Sequence, residues 1–426
     1  MSDNPGAAAQ AARSTNASLF FVVLVVMIDM VGFGIVMPVF PTLITAITGD
    51  SISQAAVDAG WLALVYSVMQ FVFGPIMGNL SDRFGRRPIL LGTLLGFAIS
   101  YTLMGLAPSL AWLFAGRIIT GVMGASFSAA NAYIADVSSP EKRAQNFGLI
   151  GMAFGFGFII GPALGGLLGE IGPRIPFFAA GGLALANFIF GYFFLRESIS
   201  DANRRPFRLL RANAFSALKG LGHQNQVVLW YAAALAIWAL CHMVYPIIFA
   251  FYAIEAFGWS AFTIGSALAL VGVTSAVVQG GMIRLVIPRI GERMAVILGV
   301  MGLAGGCIIY LTAQAGWLVF VAIVIGSIQG LVQPSITGLM SRAVGDDRQG
   351  ELQGANASLA SLASMVSPPL YTAIFFYFTQ PGAPLHLPGA PFAMAALIAL
   401  LALAIFLRGY ALHAPRHSKD SPASQL

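Results

Sequence analysis

The chain has 426 residues, 58% of them hydrophobic and 9% charged, with 22 Lys and Arg against 16 Asp and Glu for a net charge of +6. Soluble chains carry about 25% charged residues, so most of this sequence is built to face lipid and a soluble enzyme is excluded. A span needs ~20 residues to cross the hydrocarbon, or about 35 with its connection. The chain therefore holds about twelve spans and leaves no room for a large ectodomain.

Residues 1–18 form a polar tail with one cation, Arg13. The apolar run 19–41 is too long for a signal h-region of ~7–15 residues and reads as a first permanent span. Further runs follow near 58–78, 88–107, 110–135, 146–168 and 176–195, then near 227–252, 263–284, 294–313, 315–341, 352–378 and 391–408. Each is long enough to cross as a helix, the form that satisfies its own backbone in lipid. The expected organisation is a tail (1–18), a six-helix bundle (19–195), a linker (196–226), a second six-helix bundle (227–408) and a C-terminal tail (409–426). In the linker Phe207, Leu210, Ala214 and Leu218 recur at helical spacing among Arg and Lys, the pattern of a basic amphipathic helix on the membrane surface; a solvated linker fits the same residues. The 48 glycines permit close helix approach. Cys241 and Cys307 lie in apolar runs and give neither a disulfide framework nor metal spacing.

Lys and Arg placement orients the chain. Twenty of the 22 fall in segments on the same side as the N-terminus, Arg174 lies on the other side, and Arg117 is inside a span. Both termini are expected in the cytoplasm. The basic balance is thus topogenic and points to no nucleic acid. The halves also match: Gly148 precedes Pro162 as Gly354 precedes Pro368, each pair after a short charged loop. Six spans plus six spans, with inward-facing breaks at matching places, are the pattern of a transporter built from two repeats.

Some residues do not fit a plain lipid-facing helix. Asp29 lies ten residues into the first span, where a charge costs ~2.5–3.5 kcal/mol on insertion scales. It reads as a proton site, against the alternative of a hydrogen-bonded structural acid. Arg117 needs its charge offset, and Asp29 is the expected partner, directly or through water, unless Arg117 braces backbone carbonyls. Desolvation favours the neutral carboxyl and a nearby cation the charged one, and the sequence leaves that balance open. Arg117, Gly121, Gly124, Ser128 and Asn131 share a face of the fourth helix, part cavity and part packing. Trp238, His242, Tyr245, Phe249 and Tyr252 share a face of the seventh, either a wall for a flat amphipathic drug or packing. Tyr66 with Gln70 and Gln329 with Gln333 stand one turn apart, as substrate contacts or as helix glue.

Residues 78–88, Gly-Asn-Leu-Ser-Asp-Arg-Phe-Gly-Arg-Arg-Pro, resemble the loop signature of the major facilitator superfamily. Gly157-Phe-Ile-Ile-Gly-Pro-Ala-Leu-Gly-Gly resembles the fifth-span motif of its drug/proton antiporters, and Leu113-Phe-Ala-Gly-Arg-Ile-Ile-Thr-Gly the fourth-span motif. Asp29-Met-Val-Gly-Phe-Gly-Ile-Val-Met-Pro-Val-Phe-Pro, Met69-Gln-Phe-Val-Phe-Gly-Pro and Asp346-Asp-Arg-Gln-Gly-Glu-Leu-Gln-Gly resemble the tetracycline efflux branch. The resemblance implies an all-α membrane protein with the major facilitator fold, 12 transmembrane helices in two six-helix bundles, whose first, fourth, seventh and tenth helices line a cavity. It implies a proton-coupled drug efflux antiporter of the bacterial inner membrane, with no cofactor but the proton gradient, and a substrate carried as a divalent-metal chelate; a monomer is the default expectation, since the transport path lies within one chain. No metal site of the protein's own is expected; the partners are drug, proton and lipid bilayer.

By the same resemblance Asp29 and Arg117 couple protons. Gly78, Asp82, Arg83, Gly85, Arg86 and Arg87, with Asp136, gate the cytoplasmic side. Asp82 is also placed to meet a helix N-terminus. Gly157, Gly161, Pro162, Gly165 and Gly166 serve the conformational change through close packing and a bend. The sequence departs from the family at Ser100, Ser275 and Leu303, where the family carries two acids and a histidine, which favours lipophilic or cationic amphipaths over tetracycline. A symporter for a small metabolite and a non-transporting sensor are the rival readings. An enzyme is not, because nucleophile–base pairs, metal clusters and phosphate loops are missing from the sequence.

Overall fold

The computed structural model describes residues 5–124, 127–138, 142–199, 204, 206–207, 225–344 and 348–413. The expected amphipathic helix of the linker, with Leu210, Ala214 and Leu218, lies outside them, as does most of the C-terminal tail. Among the described residues every regular element is a helix. Eleven are long and apolar enough to cross a membrane. Seven come first: α1 Val22–Thr48, α2 Ile52–Phe84, α3 Arg86–Gly105, α4 Leu110–Val137, α5 Gly151–Ile171, α6 Ile175–Phe194 and α7 Gln226–Phe257. The next, Ala261–Thr312, has 52 residues and would be roughly 80 Å long at 1.5 Å per residue, against ~30 Å of hydrocarbon. It turns at Gly291 (φ 76°, ψ 160°), so it supplies two crossings, α8 (261–290) and α9 (292–312). Then come α10 Trp317–Ala343, α11 Gln349–Thr379 and α12 Ala390–Leu412, twelve in all among the described residues. The helix carrying α1 starts at Pro5, so the tail expected at 1–18 is helical from its fifth residue.

Proline explains three interruptions, since it cannot donate to the carbonyl four residues back. In α1 the stretch Met37–Val39, around Pro38, tightens to 3-10 form. In α7, Pro246 leaves His242 without its donor, and the helix stops at His242 and restarts at Val244. In α10, Pro334 leaves Gly330 unmatched inside the 3-10 stretch Ser327–Leu331. In α8, Gly280 and Gly281 lie in a wider π turn, Val278–Met282. Such turns and breaks are frequent where membrane helices handle ligands.

By contact the chain falls into two compact units. The first comprises Met1–Ala214 with Gly258–Val273, the second Phe215–Phe257 with Thr274–Leu426. The start of α8 thus belongs with the first unit, although the sequence division assigned it to the second bundle. Glycine is the cause. A Cβ on Gly161 would stand 2.7 Å from the Val31 carbonyl oxygen, and Gly157 and Gly165 press equally on Met30 and Ile35 of α1. One residue round the helix, a Cβ on Gly166 would lie 2.7 Å from the Ala261 carbonyl oxygen, and Gly265 meets Pro162 in return. The Phe262 amide also donates to Glu170 at 2.9 Å. The bare face of α5 therefore packs backbone against backbone on α1 and on the start of α8. In the second unit, Tyr310 of α9 and Phe392 of α12 stack with centroids 4.4 Å apart.

Candidate functional site

Asp29 is half-buried on α1. It lines a small recess with Val25 and Val26, with Leu90, Thr93 and Leu94 of α3, and with Ala130 of α4. Arg117 enters α4 near its other end. Its guanidinium lies over the Phe40 ring at 4.3 Å, and its Nε is buried with no hydrogen-bond partner. Asp29 and Arg117 form no direct ion pair. Phe40 is eleven residues beyond Asp29, roughly 16 Å along a helix, so the two charges sit at different depths. Arg117 is offset by an aromatic face, worth about 0.5–2 kcal/mol, which sequence reasoning missed although Phe40 stands in the same quoted stretch as Asp29. The phenols of Tyr66 and Tyr101 lie within electrostatic range of both charges.

Tyr66 and Gln70 join α2 to α4: Gln70 Nε2 donates to the Tyr66 hydroxyl at 3.3 Å and to the Gly124 carbonyl at 3.4 Å. Gly121 meets the Tyr66 backbone and Met69, so this stretch of the α4 face is packing, while Asn131 further along is exposed. On α7, His242 stands against Tyr245 at 6.1 Å across the break before Pro246, and Tyr245, Phe249 and Tyr252 all stand against Tyr310 of α9. Trp238, Phe249 and Tyr252 are buried and His242 is exposed. Tyr245 touches the Cys307 thiol at 3.7 Å, and the Tyr252 hydroxyl donates to the Tyr310 carbonyl at 2.7 Å. With Phe249 against Tyr310 at 6.3 Å, this group packs within the second unit. On α10, Gln329 is half-buried with an unpartnered Oε1, and Gln333 is exposed.

The departures from the family pattern are structurally distinct. Ser100 is fully buried and donates to the Gly116 carbonyl at 2.8 Å, and Leu303 is fully buried. Both serve helix packing. Ser275 is half-buried, three residues before the π turn.

The 78–88 segment forms a corner between α2 and α3. Gly78 is inside α2, which ends at Phe84. Gly85 turns the chain at φ 106°, ψ 158°, a region that excludes side chains. Arg86 is 8% exposed and gathers the corner. It pairs with Asp82, donates to Ser81 at 3.2 Å, and donates through Nε to Asp136, at the end of α4, at 3.2 Å. Arg83 is exposed and lies over Phe84. Arg87 donates to the Tyr192 carbonyl at 2.7 Å and lies over its ring.

Within this unit Asp82 pairs with Arg86 and meets no helix N-terminus. That place is taken by Glu197, just beyond α6, which accepts from the amides of Arg86 at 2.8 Å and Arg87 at 3.3 Å. The first amides of a helix have no partner inside it, so the carboxylate caps α3. An acid in a basic stretch was its only sequence signal. The second unit repeats the corner 206 residues later with the ion pair reversed. Gly291 turns the chain, Glu292 of α9 takes the place of Arg86, and Arg342 of α10 that of Asp136, 2.6 Å apart. Arg293 lies over the Tyr410 ring, as Arg87 lies over that of Tyr192. Among the described residues no three His, Cys, Asp or Glu are grouped to hold a metal.

A family model described as Major Facilitator Superfamily matches residues 22–368. The chain is 39% identical to the class C tetracycline resistance protein of Escherichia coli over 85% of its own length and 90% of the relative's. It is 35% identical to the class G protein of Vibrio anguillarum over 84% and 90%. Among solved structures, it resembles the human organic anion transporter MFSD10 (TETRAN) with a TM-score of 0.65 at 22% identity, covering 92% of this chain and 99% of that one; that likeness concerns the fold.

Proposed function

The chain belongs to the major facilitator superfamily, a superfamily of multi-pass membrane transporters, and we propose that it is a proton-coupled antiporter exporting an amphipathic, tetracycline-like drug across the bacterial inner membrane. The observation that carries the coupling half is Asp29: an acid inside a membrane span, half-buried in a recess and in no ion pair with a described residue. A carboxyl of that kind can bind and release a proton without breaking a salt bridge. Arg117, held over Phe40, contributes a fixed positive charge to the same unit. The drug half draws on the names of the relatives.

Tyr66, Gln70, Asn131, His242, Tyr245, Gln329 and Gln333 are the substrate contacts we propose, and Trp238 and Phe249 act by supporting them. The corner at Arg86 gates, holding α2, α3 and α4 together on the cytoplasmic side.

The test is transport in proteoliposomes with an imposed pH gradient, for the native chain and Asp29→Asn. The native chain should accumulate drug against its gradient, and the Asp29→Asn variant should only exchange it downhill. Full uphill transport by that variant removes the coupling role. In a strain stripped of its own pumps, resistance to cationic dyes without resistance to tetracycline would remove the substrate assignment.

A further inference from the structure

Asn187 lies in the middle of α6 and is 1% exposed. Its Nδ2 donates to the Val25 carbonyl of α1 at 3.0 Å, and its Oδ1 is buried with no hydrogen-bond partner. A carbonyl needs a donor, so this contact fixes which way the amide points. Packing does not explain the residue: Leu would fill the same volume without leaving a buried oxygen unmet.

The carbonyl it takes is a particular one. In an α-helix the amide of residue i bonds the carbonyl of residue i−4, so the Val25 carbonyl is the acceptor for the backbone amide of Asp29. Helical side chains lean toward the N-terminus. The Asp29 carboxyl accordingly lies over the turn of Val25 and Val26, and all three line one recess. The ionisable groups that reach this stretch from the packed helices are Tyr66 of α2 and Tyr101 of α3. From α5 the facing residues are Gly157, Gly161 and Gly165.

We propose that Asn187 is a positioning residue for Asp29: by holding the Val25 carbonyl it sets the rotation of α1 and keeps the carboxyl in the recess beside Thr93. The proposal rests on Asp29 as the coupling group. It is tested with a measurement that needs no substrate, the rate at which a lipid-soluble carbodiimide labels Asp29 at fixed pH, read by mass spectrometry. Carbodiimides attack protonated carboxyls in apolar surroundings, so the rate reports where Asp29 sits. Asn187→Leu keeps the volume and removes the donor; Asn187→Gln and Asn187→Ser keep a donor.

The Leu variant should fold, change the labelling rate at least threefold, and lower uphill turnover about tenfold with KM within twofold. One of the two donor variants should bring both readouts back to within twofold of the native chain. Unchanged labelling in Asn187→Leu overturns the proposal, as does a loss that neither donor variant restores. Uphill transport by Asp29→Asn would instead remove the coupling role, while the labelling comparison still decides whether Asn187 positions the carboxyl.

Discussion

Gly85→Ala and Glu197→Ala, alone and together, give a quantitative test of the corner between α2 and α3. Glu197 accepts from two first-turn amides of α3 and from the amides of Ser198 and Ile199 at 3.0 and 3.3 Å. Removing a helix cap costs about 0.5–2 kcal/mol, typically ~1. Gly85 has φ 106° and ψ 158°, a conformation costing a residue with a Cβ about 1–3 kcal/mol. That Cβ would also strike the Glu197 carboxylate, so Gly85→Ala loses the cap as well, for a total of about 2–4 kcal/mol. In the double variant the cap is already gone and only the backbone strain is added. It should therefore be as stable as Gly85→Ala alone, with a coupling of about 1 kcal/mol. Cys241 and Cys307 are fully buried and free, so a thiol-reactive dye reports unfolding on heating in detergent. A shift of about 2 °C is expected for Glu197→Ala and two to four times that for Gly85→Ala and for the double variant, taking about 2–4 °C per kcal/mol as the upper scale for so long a chain. A double variant lowered by the sum of the single shifts would show that Glu197 does not cap through Gly85.

Arg86→Leu should slow turnover severalfold with little change in drug affinity, because it releases Asp82 and Asp136 at the corner and shifts the balance between conformations; a binding isotherm beside a transport rate checks this, and a large affinity loss with unchanged turnover would refute it. Glu292→Arg should lower the dye-detected Tm slightly, and Arg342→Glu should restore it, because the pair is largely exposed on its arginine side and worth ~0–1 kcal/mol. Gly161→Ala should cost more than about 2 kcal/mol and abolish transport, since the Val31 and Gly34 backbone atoms it would meet cannot step aside; near-normal expression and transport would refute the close packing of α5 on α1. Ser100→Asp should destabilise by about 3 kcal/mol or more, because a carboxylate would replace a hydroxyl that donates to Gly116 in a fully buried place, and a stable, active Ser100→Asp variant would show that the site has room for the family acid.

The features legible in the sequence are those that a few neighbouring residues encode. Hydropathy over ~20 residues marks a span, because a helix in lipid satisfies its own backbone. The corner glycine at 85 and the glycine face of α5 were legible because only residues without a side chain permit a positive φ or a backbone contact. Proline in α1, α7 and α10 carries the signal for the helix breaks in the same local way. What depended on tertiary structure were partners far apart in the chain. Arg117 faces Phe40 and not Asp29, since helix packing sets the depth of each charge, and no pattern along one helix records it. Glu197 caps a helix 111 residues back, and Asn187 reaches Val25 over 162; both are single polar residues with no periodicity. The aromatic residues of α7 gather on Tyr310 of α9, a partner no pattern along α7 names, and the start of α8 joined the first unit through Gly166 and Gly265. In each case local chemistry states what a residue can do, and the packing of the helices decides which group it does it to.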